Sequence, residues 1–151
     1  MTYSKLMALG LAAFVLVIPT AVPAAKPKPL PTVQTFDIAA LLNDPKLAKE
    51  LPQDVKFYFG DQPAKMVRVL GTGKGSKRTG MGKDVSMSCR KALASLMAAL
   101  GDDVKAQGGN ALVAVKSNLF NSPTSSDTQF RCALGEKKVS VALTGQIAVV
   151  E

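Results

Sequence analysis

Residues 86–109, SMSCRKALASLMAALGDDVKAQGG, limit the possible folds of this chain more than any other stretch. Apolar residues fall at Cys89, Leu93, Leu96, Met97, Leu100 and Val104, spaced i, i+4, i+7, i+8, i+11 and i+15. That spacing draws one stripe along one helix and no second stripe. A helix with a single apolar stripe must lay it on another apolar surface. Ser86 or Ser88 is placed to cap its start, and Gly108–Gly109 to end it. Asp102–Asp103 reads as a solvated feature of the helix end.

The surface for that stripe must come from strands. VKFYF (55–59) and KMVRVLG (65–71) alternate with period two, with the turn GDQP between them. ALVAVKSNLF (111–120) is β-prone and continuously apolar at its start, as a central strand is. A polar loop, NSPTSSDTQ (121–129), follows; FRCAL and KVSVALTGQIAVV then flank the turn GEK. The order β-β-α-β-β-β predicts an α+β fold, a small mostly antiparallel sheet packed against one amphipathic helix. Before it, NDPKLAKEL (43–51) predicts a short helix, with Asp44 as N-cap and Pro45 in the first position. AKPKPLPTVQ (25–34) reads as an extended Pro-rich linker. The organisation expected is a Pro-rich linker and lead-in over 25–42 and one domain over 43–151, which suits a chain of 151 residues.

The N-terminus predicts export. MTYSK carries one cation and no acid, LMALGLAAFVLVIPTA (6–21) is uncharged and apolar, and VPA follows with small residues at Val22 and Ala24. This is the layout of a signal peptide over 1–24, cut between Ala24 and Ala25. A retained membrane anchor is the competing reading, but a run of 16 residues is short for a span of about 20. No Cys lies near the cut, so a bacterial lipoprotein is not expected; the expected location is the periplasm, with secretion as the further option. Cleavage would leave 18 Lys and Arg against 11 Asp and Glu, a net charge of +7. Such a balance favours anionic partners.

The chain has no His, which excludes Ser-His-Asp and Cys-His catalysis and every His-ligated metal site. No other acid–base or nucleophile spacing stands out, so the chain is read as a non-enzyme without a cofactor. The stretch VLGTGKGSKRTGMGKD (69–84) imitates a phosphate loop and fails in detail. Gly75 and Gly80 have the right separation, but Met81 stands where the lysine belongs. Gly82–Lys83 is followed by Asp84, a carboxylate in place of the metal-binding hydroxyl. A dinucleotide fingerprint fails at Ser76. Nucleotide is therefore not an expected ligand. The stretch is expected to be a flexible, solvated β-to-α connection. A second reading keeps its charge: Lys74, Lys77, Arg78 and Lys83 as a contact for an anionic partner. No aromatic residue interleaves these cations to stack on bases, so nucleic acid is not expected.

Cys89 and Cys132 are the only cysteines. In an exported chain a disulfide is the default, and two buried thiols or redox or metal chemistry are the alternatives. A redox site lacks its C-x-x-C, and two Cys without His fall short of a metal site.

VKFY, VRVLG, the Cys at the helix start, AQGGNALVAV, FRC and the tail VSVALTGQIAVV together resemble the periplasmic domain of the RcsF outer-membrane stress sensors. The GGNALVAV block is also similar to a segment of the YbjQ-like proteins. The resemblance covers residues 55–150 and implies a small sheet-plus-helix fold. It implies a bridge between Cys89 and Cys132, which match one disulfide of the sensor. The lipid-carrying Cys and the second cysteine pair are missing here, so anchoring by acylation is not implied. What is implied is a sensor or interaction module of the cell envelope, contacting a protein or an anionic surface. The alternative is a small-ligand or metal-binding oligomer of the YbjQ type.

Overall fold

β7 (Lys138–Val150) is the strand on which the others assemble. In this computed structural model residues 24–27 and 29–151 are described; the expected signal peptide, apart from Ala24, lies outside them. Along one edge β7 pairs antiparallel with β3 (Met66–Gly80) over the full length of both. Its other edge is shared. β6 (Gln129–Leu134) takes the start, through Leu134↔Val139 and Ala133↔Ser140. β4 (Ala111–Ser117) takes the rest, from Ser117↔Leu143 to Ala111↔Ala148. β1 (Thr32–Asp37) extends the sheet beyond β6, β2 (Lys56–Phe59) lies parallel to β4, and β5 (Thr124–Ser125) adds a short antiparallel pair to it. The result is a curled, mostly antiparallel sheet of seven strands. The parallel β2–β4 pair is its one exception, joined by a long connection through β3 and a helix.

That helix is α3 (Val85–Ala106), and every residue of the apolar stripe is buried: Cys89, Leu93, Leu96, Met97, Leu100 and Val104 are at most 2% exposed. The stripe packs on Leu112 and Val115 of β4, Phe130 of β6, and Val139, Val141, Leu143 and Ile147 of β7. Each large side chain removed from water in this way contributes roughly 1.5–3 kcal/mol. The N-cap is Asp84, whose carboxylate accepts from the Met87 N–H at 2.9 Å, and not Ser86 or Ser88. The Ser88 hydroxyl instead donates to the Asp84 carbonyl and accepts from the Gly82 N–H, locking the chain entering the helix. At the other end Gly108 has φ 76°; its N–H donates to the Lys105 carbonyl and that of Gly109 to the Val104 carbonyl. These are the two bonds of a Schellman ending.

The Gly/Lys stretch is not a flexible connection. Its residues through Gly80 are strand β3, and only residues 81–84 connect β3 to α3. Gly73 and Gly75 lie under α3 and β4. A Cβ on Gly73 would sit 2.7 Å from Leu112 Cδ1, and one on Gly75 2.9 Å from Leu96 Cδ1 and 3.5 Å from Leu100 Cδ2. Gly145 of β7 stands directly across from Gly73. The glycines leave room for the helix and the neighbouring strand, and the partner VSVALTGQIAVV supplies the β-propensity that they lack.

The lead-in also differs from expectation. Residues 25–42 contain β1 and α1 (Ile38–Leu42), with Ile38 5% and Leu41 0% exposed, so the folded unit begins about ten residues before position 43. The composition of AKPKPLPTVQ hid this, because β1 is an edge strand whose ladder is supplied by β6. α2 (Pro45–Ala48) forms as expected, with the Asp44 carboxylate accepting from the Lys46 and Leu47 N–H groups.

Cys89 and Cys132 are joined by a disulfide, with Cα atoms 6.1 Å apart and both residues fully buried. The bridge fastens the first turns of α3 to β6 across 43 residues of chain, which on the chain-entropy argument stabilises by about 4 kcal/mol.

Gly75→Val should lower stability by about 1–3 kcal/mol, because a branched side chain must displace Leu96 and Leu100. Gly80→Val, where a Cβ meets nothing within 4 Å, should stay within about 0.5 kcal/mol of the unchanged protein. Urea midpoints measure both; equal costs would show that α3 does not rest on β3.

Candidate interaction surface

With α3 on one face of the β3–β7 ladder, the other face is left open. Alternation along β3 decides which side chains it carries. Gly75 faces α3, so Lys74, Ser76 and Arg78 face away from it. On β7 the residues directly opposite are Thr144, Ala142 and Ser140, with Lys138 opposite Gly80. Lys77 is opposite Val141 and shares the helix side, though it is exposed at the margin. Lys83 is exposed in the short connection before α3. The four cations expected to act together are thus split: Lys74 and Arg78 share the open face, and Lys77 and Lys83 do not join them.

The open face gains residues that the sequence did not single out. The 3-10 turn Leu119–Asn121 is anchored by the Asn118 N–H donating to the Ala142 carbonyl at 2.8 Å. Lys74 Nζ donates to Asn121 Oδ1 at 2.8 Å, holding the turn against β3. Phe120 is 67% exposed and has φ 55°, a left-handed backbone that Asn tolerates and a bulky residue does not. A strained backbone that presents an aromatic ring to water is a feature of binding sites. Arg131 of β6 lies on the same face, where its Nη1 donates to Thr124 Oγ1 at 2.8 Å. Lys138 could have been found from the alternation of KVSVALTGQ, in which Lys138 and Ser140 fall opposite to the buried Val139 and Val141. For Phe120 the sequence held no signal, since the turn that exposes it is set by tertiary anchoring.

Of these groups, Arg78, Phe120, Lys138 and Ser140 line an open groove of about 750 Å³. Ala133 and Ser140 belong to its lining, Phe120 and Leu30 are its large apolar members, and Arg78, Lys137 and Lys138 are its cations. Among the described residues Glu136 is the one acid on its lining. The described residues contain two salt bridges, Lys65–Glu151 and Lys105–Asp102, and neither involves a groove cation. The arrangement can hold an anionic group against a partly apolar body.

The described residues contain no group of three or more His, Cys, Asp and Glu side chains placed to hold a metal ion. Both thiols are consumed in the bridge. Asp102 and Asp103 are exposed on α3, where Asp102 pairs with Lys105 at 3.2 Å. Among the described residues no helix is long and apolar enough to cross a membrane. No family model matches the chain, and neither a curated protein nor a solved structure matches it.

Phe120→Asn should raise stability by about 1 kcal/mol, because Asn accepts the left-handed conformation and the Phe ring gains little burial. A shift of the denaturation midpoint upward is the expected reading; a clear loss of stability would mean that the ring is held by packing.

Proposed function

We propose that this chain is an exported, disulfide-stapled, non-enzymatic module of the bacterial envelope that docks an anionic partner on the open face of its sheet. The observation that carries the reading is the groove, where three cations, Arg78, Lys137 and Lys138, share the lining with exposed Phe120, Lys74 stands nearby, and Glu136 is the only acid among the described lining residues. The buried Cys89–Cys132 bridge supports an oxidising compartment, and the apolar N-terminal run supports export. The resemblance of residues 55–150 to the RcsF and YbjQ groups motivates the same reading. Phosphate-bearing lipid headgroups have the chemistry that the groove suits: an anion for the cations and an acyl boundary for Phe120 and Leu30.

Each cation near an anionic surface contributes about 1 kcal/mol, so three give roughly 3 kcal/mol, enough for weak, salt-sensitive docking. The experiment has two parts. Protein purified from the periplasm without reductant should begin at Ala25 and gain about 2 Da on reduction, the mass of two thiol hydrogens. Its co-sedimentation with vesicles containing a phosphate-headed anionic lipid should exceed that with zwitterionic vesicles. Reversing two charges, in Arg78→Glu with Lys138→Glu, should weaken it more than tenfold. A doubly reversed variant that binds as the unchanged protein does would remove the groove from the account; a full-length chain with two alkylatable thiols would remove export.

A further inference from the structure

The longest strand of the sheet is also an edge. β3 spans 15 residues and its only strand partner among the described residues is β7. The other outer strands are short: β1 has six residues and β2 four. The first part of β3 is broken by register shifts between Met66 and Arg68 and between Val69 and Gly71. Bulges of that kind blunt an edge against pairing. From Gly71 to Gly80 the ladder runs without a break, and in antiparallel pairing every second residue there turns its N–H and C=O away from β7. No side chain of the described residues hydrogen-bonds to the backbone of that segment. Gly71, Gly73, Gly75 and Gly80 carry no side chain that could shield it.

The charge on this edge selects what can pair with it. Residues 62–83 hold Lys65, Arg68, Lys74, Lys77, Arg78 and Lys83 and no acid. A second copy of the chain, pairing β3 with β3, would bring two such sets together. Like charges facing each other across strands are unfavourable, and opposite charges add roughly 0.2–1 kcal/mol per pair. Lys74 and Arg78 project on the open face and Lys77 on the other, so an added strand with acids on both faces would be met on both. From this we infer that the Gly71–Gly80 edge of β3 is a strand-addition site for an extended acidic peptide segment. The added strand would take its affinity from main-chain hydrogen bonds and its selectivity from the cations. This site shares Lys74 and Arg78 with the groove but rests on the free main chain of the sheet edge, which the groove reading does not use.

The test uses the mature protein and an acetylated, amidated ten-residue peptide, Glu-Glu-Val-Val-Glu-Glu-Val-Val-Glu-Glu, which carries acids on both faces of a strand. Two further peptides carry N-methyl groups on one or the other alternate set of backbone nitrogens, so charge is kept and one set of donors is lost. Binding of the parent peptide should slow amide exchange at alternate residues within Gly71–Gly80 at least tenfold, leaving the edges of β1 and β2 unchanged. One N-methylated peptide should bind at least tenfold more weakly than the parent, and the other should stay close to it. Phe120→Ala should bind the parent peptide as the unchanged protein does, which separates the edge from the groove. The proposal is overturned if both N-methylated peptides bind like the parent, since charge alone then suffices. It is equally overturned if protection falls outside β3, if Phe120→Ala abolishes binding, or if the protein sediments as a dimer with this edge already protected.

Discussion

The close seating of α3 on the β3–β7 ladder is the contact on which the rest of the structure depends. It needs two things at once: a helix with one apolar stripe, and strands beneath it with room for that stripe. Gly73, Gly75 and Gly145 provide the room, with Leu112, Leu96 and Leu100 filling the space that side chains at these positions would occupy. The Cys89–Cys132 bridge holds the beginning of the same helix to β6, on the far side of β7 from β3. The helix is therefore held to the sheet near both of its margins, covalently at one and by packing at the other.

Because α3 occupies one face, the polarity of the other face follows. Strand alternation sends Lys74, Ser76, Arg78, Lys138 and Ser140 to water, and the anchoring of residues 118–121 places Phe120 over them. The smaller outer cluster of Ala111, Val113, Ala148 and Val150, covered by Tyr58 and Ala64, closes the opposite end of that face. Asn110 finishes this end: its side chain donates to the Val150 carbonyl and accepts from the Val150 N–H, both at 2.8 Å. A side-chain amide there stands in for one further backbone pair of the β4–β7 ladder, which is what the Asn of GGNALVAV does.

The parts of the fold legible in the sequence were those governed by periodicity. The stripe of α3, the strands 56–59 and 138–150, the Asp44–Pro45 helix start and the α+β class all followed from spacing and local chemistry. Composition misled at two places for related reasons. Residues 72–80 look like a loop because Gly, Lys and Ser have poor strand propensity, yet β7 supplies the ladder and α3 demands small residues. Residues 32–34 close a stretch, 25–34, that looks like a Pro-rich linker, yet β6 supplies a ladder for 32–37. In both cases the deciding partner is distant in sequence. The candidate surface was half legible: Lys74 and Arg78 were noticed as charges, but only the register separates them from Lys77 and Lys83 and joins them to Lys138 and Phe120.

The most direct measurement is the set of through-space proton contacts of Gly75 in solution by nuclear magnetic resonance. The structure predicts contacts from its α-protons to the δ-methyls of Leu96 and to Leu143 across the ladder, with extended-strand shifts from Gly71 to Gly80. Random-coil shifts over those ten residues, with no contact to Leu96 or Leu143, would contradict it: the stretch would then be a loop, and both the open face and the free edge would lose their foundation.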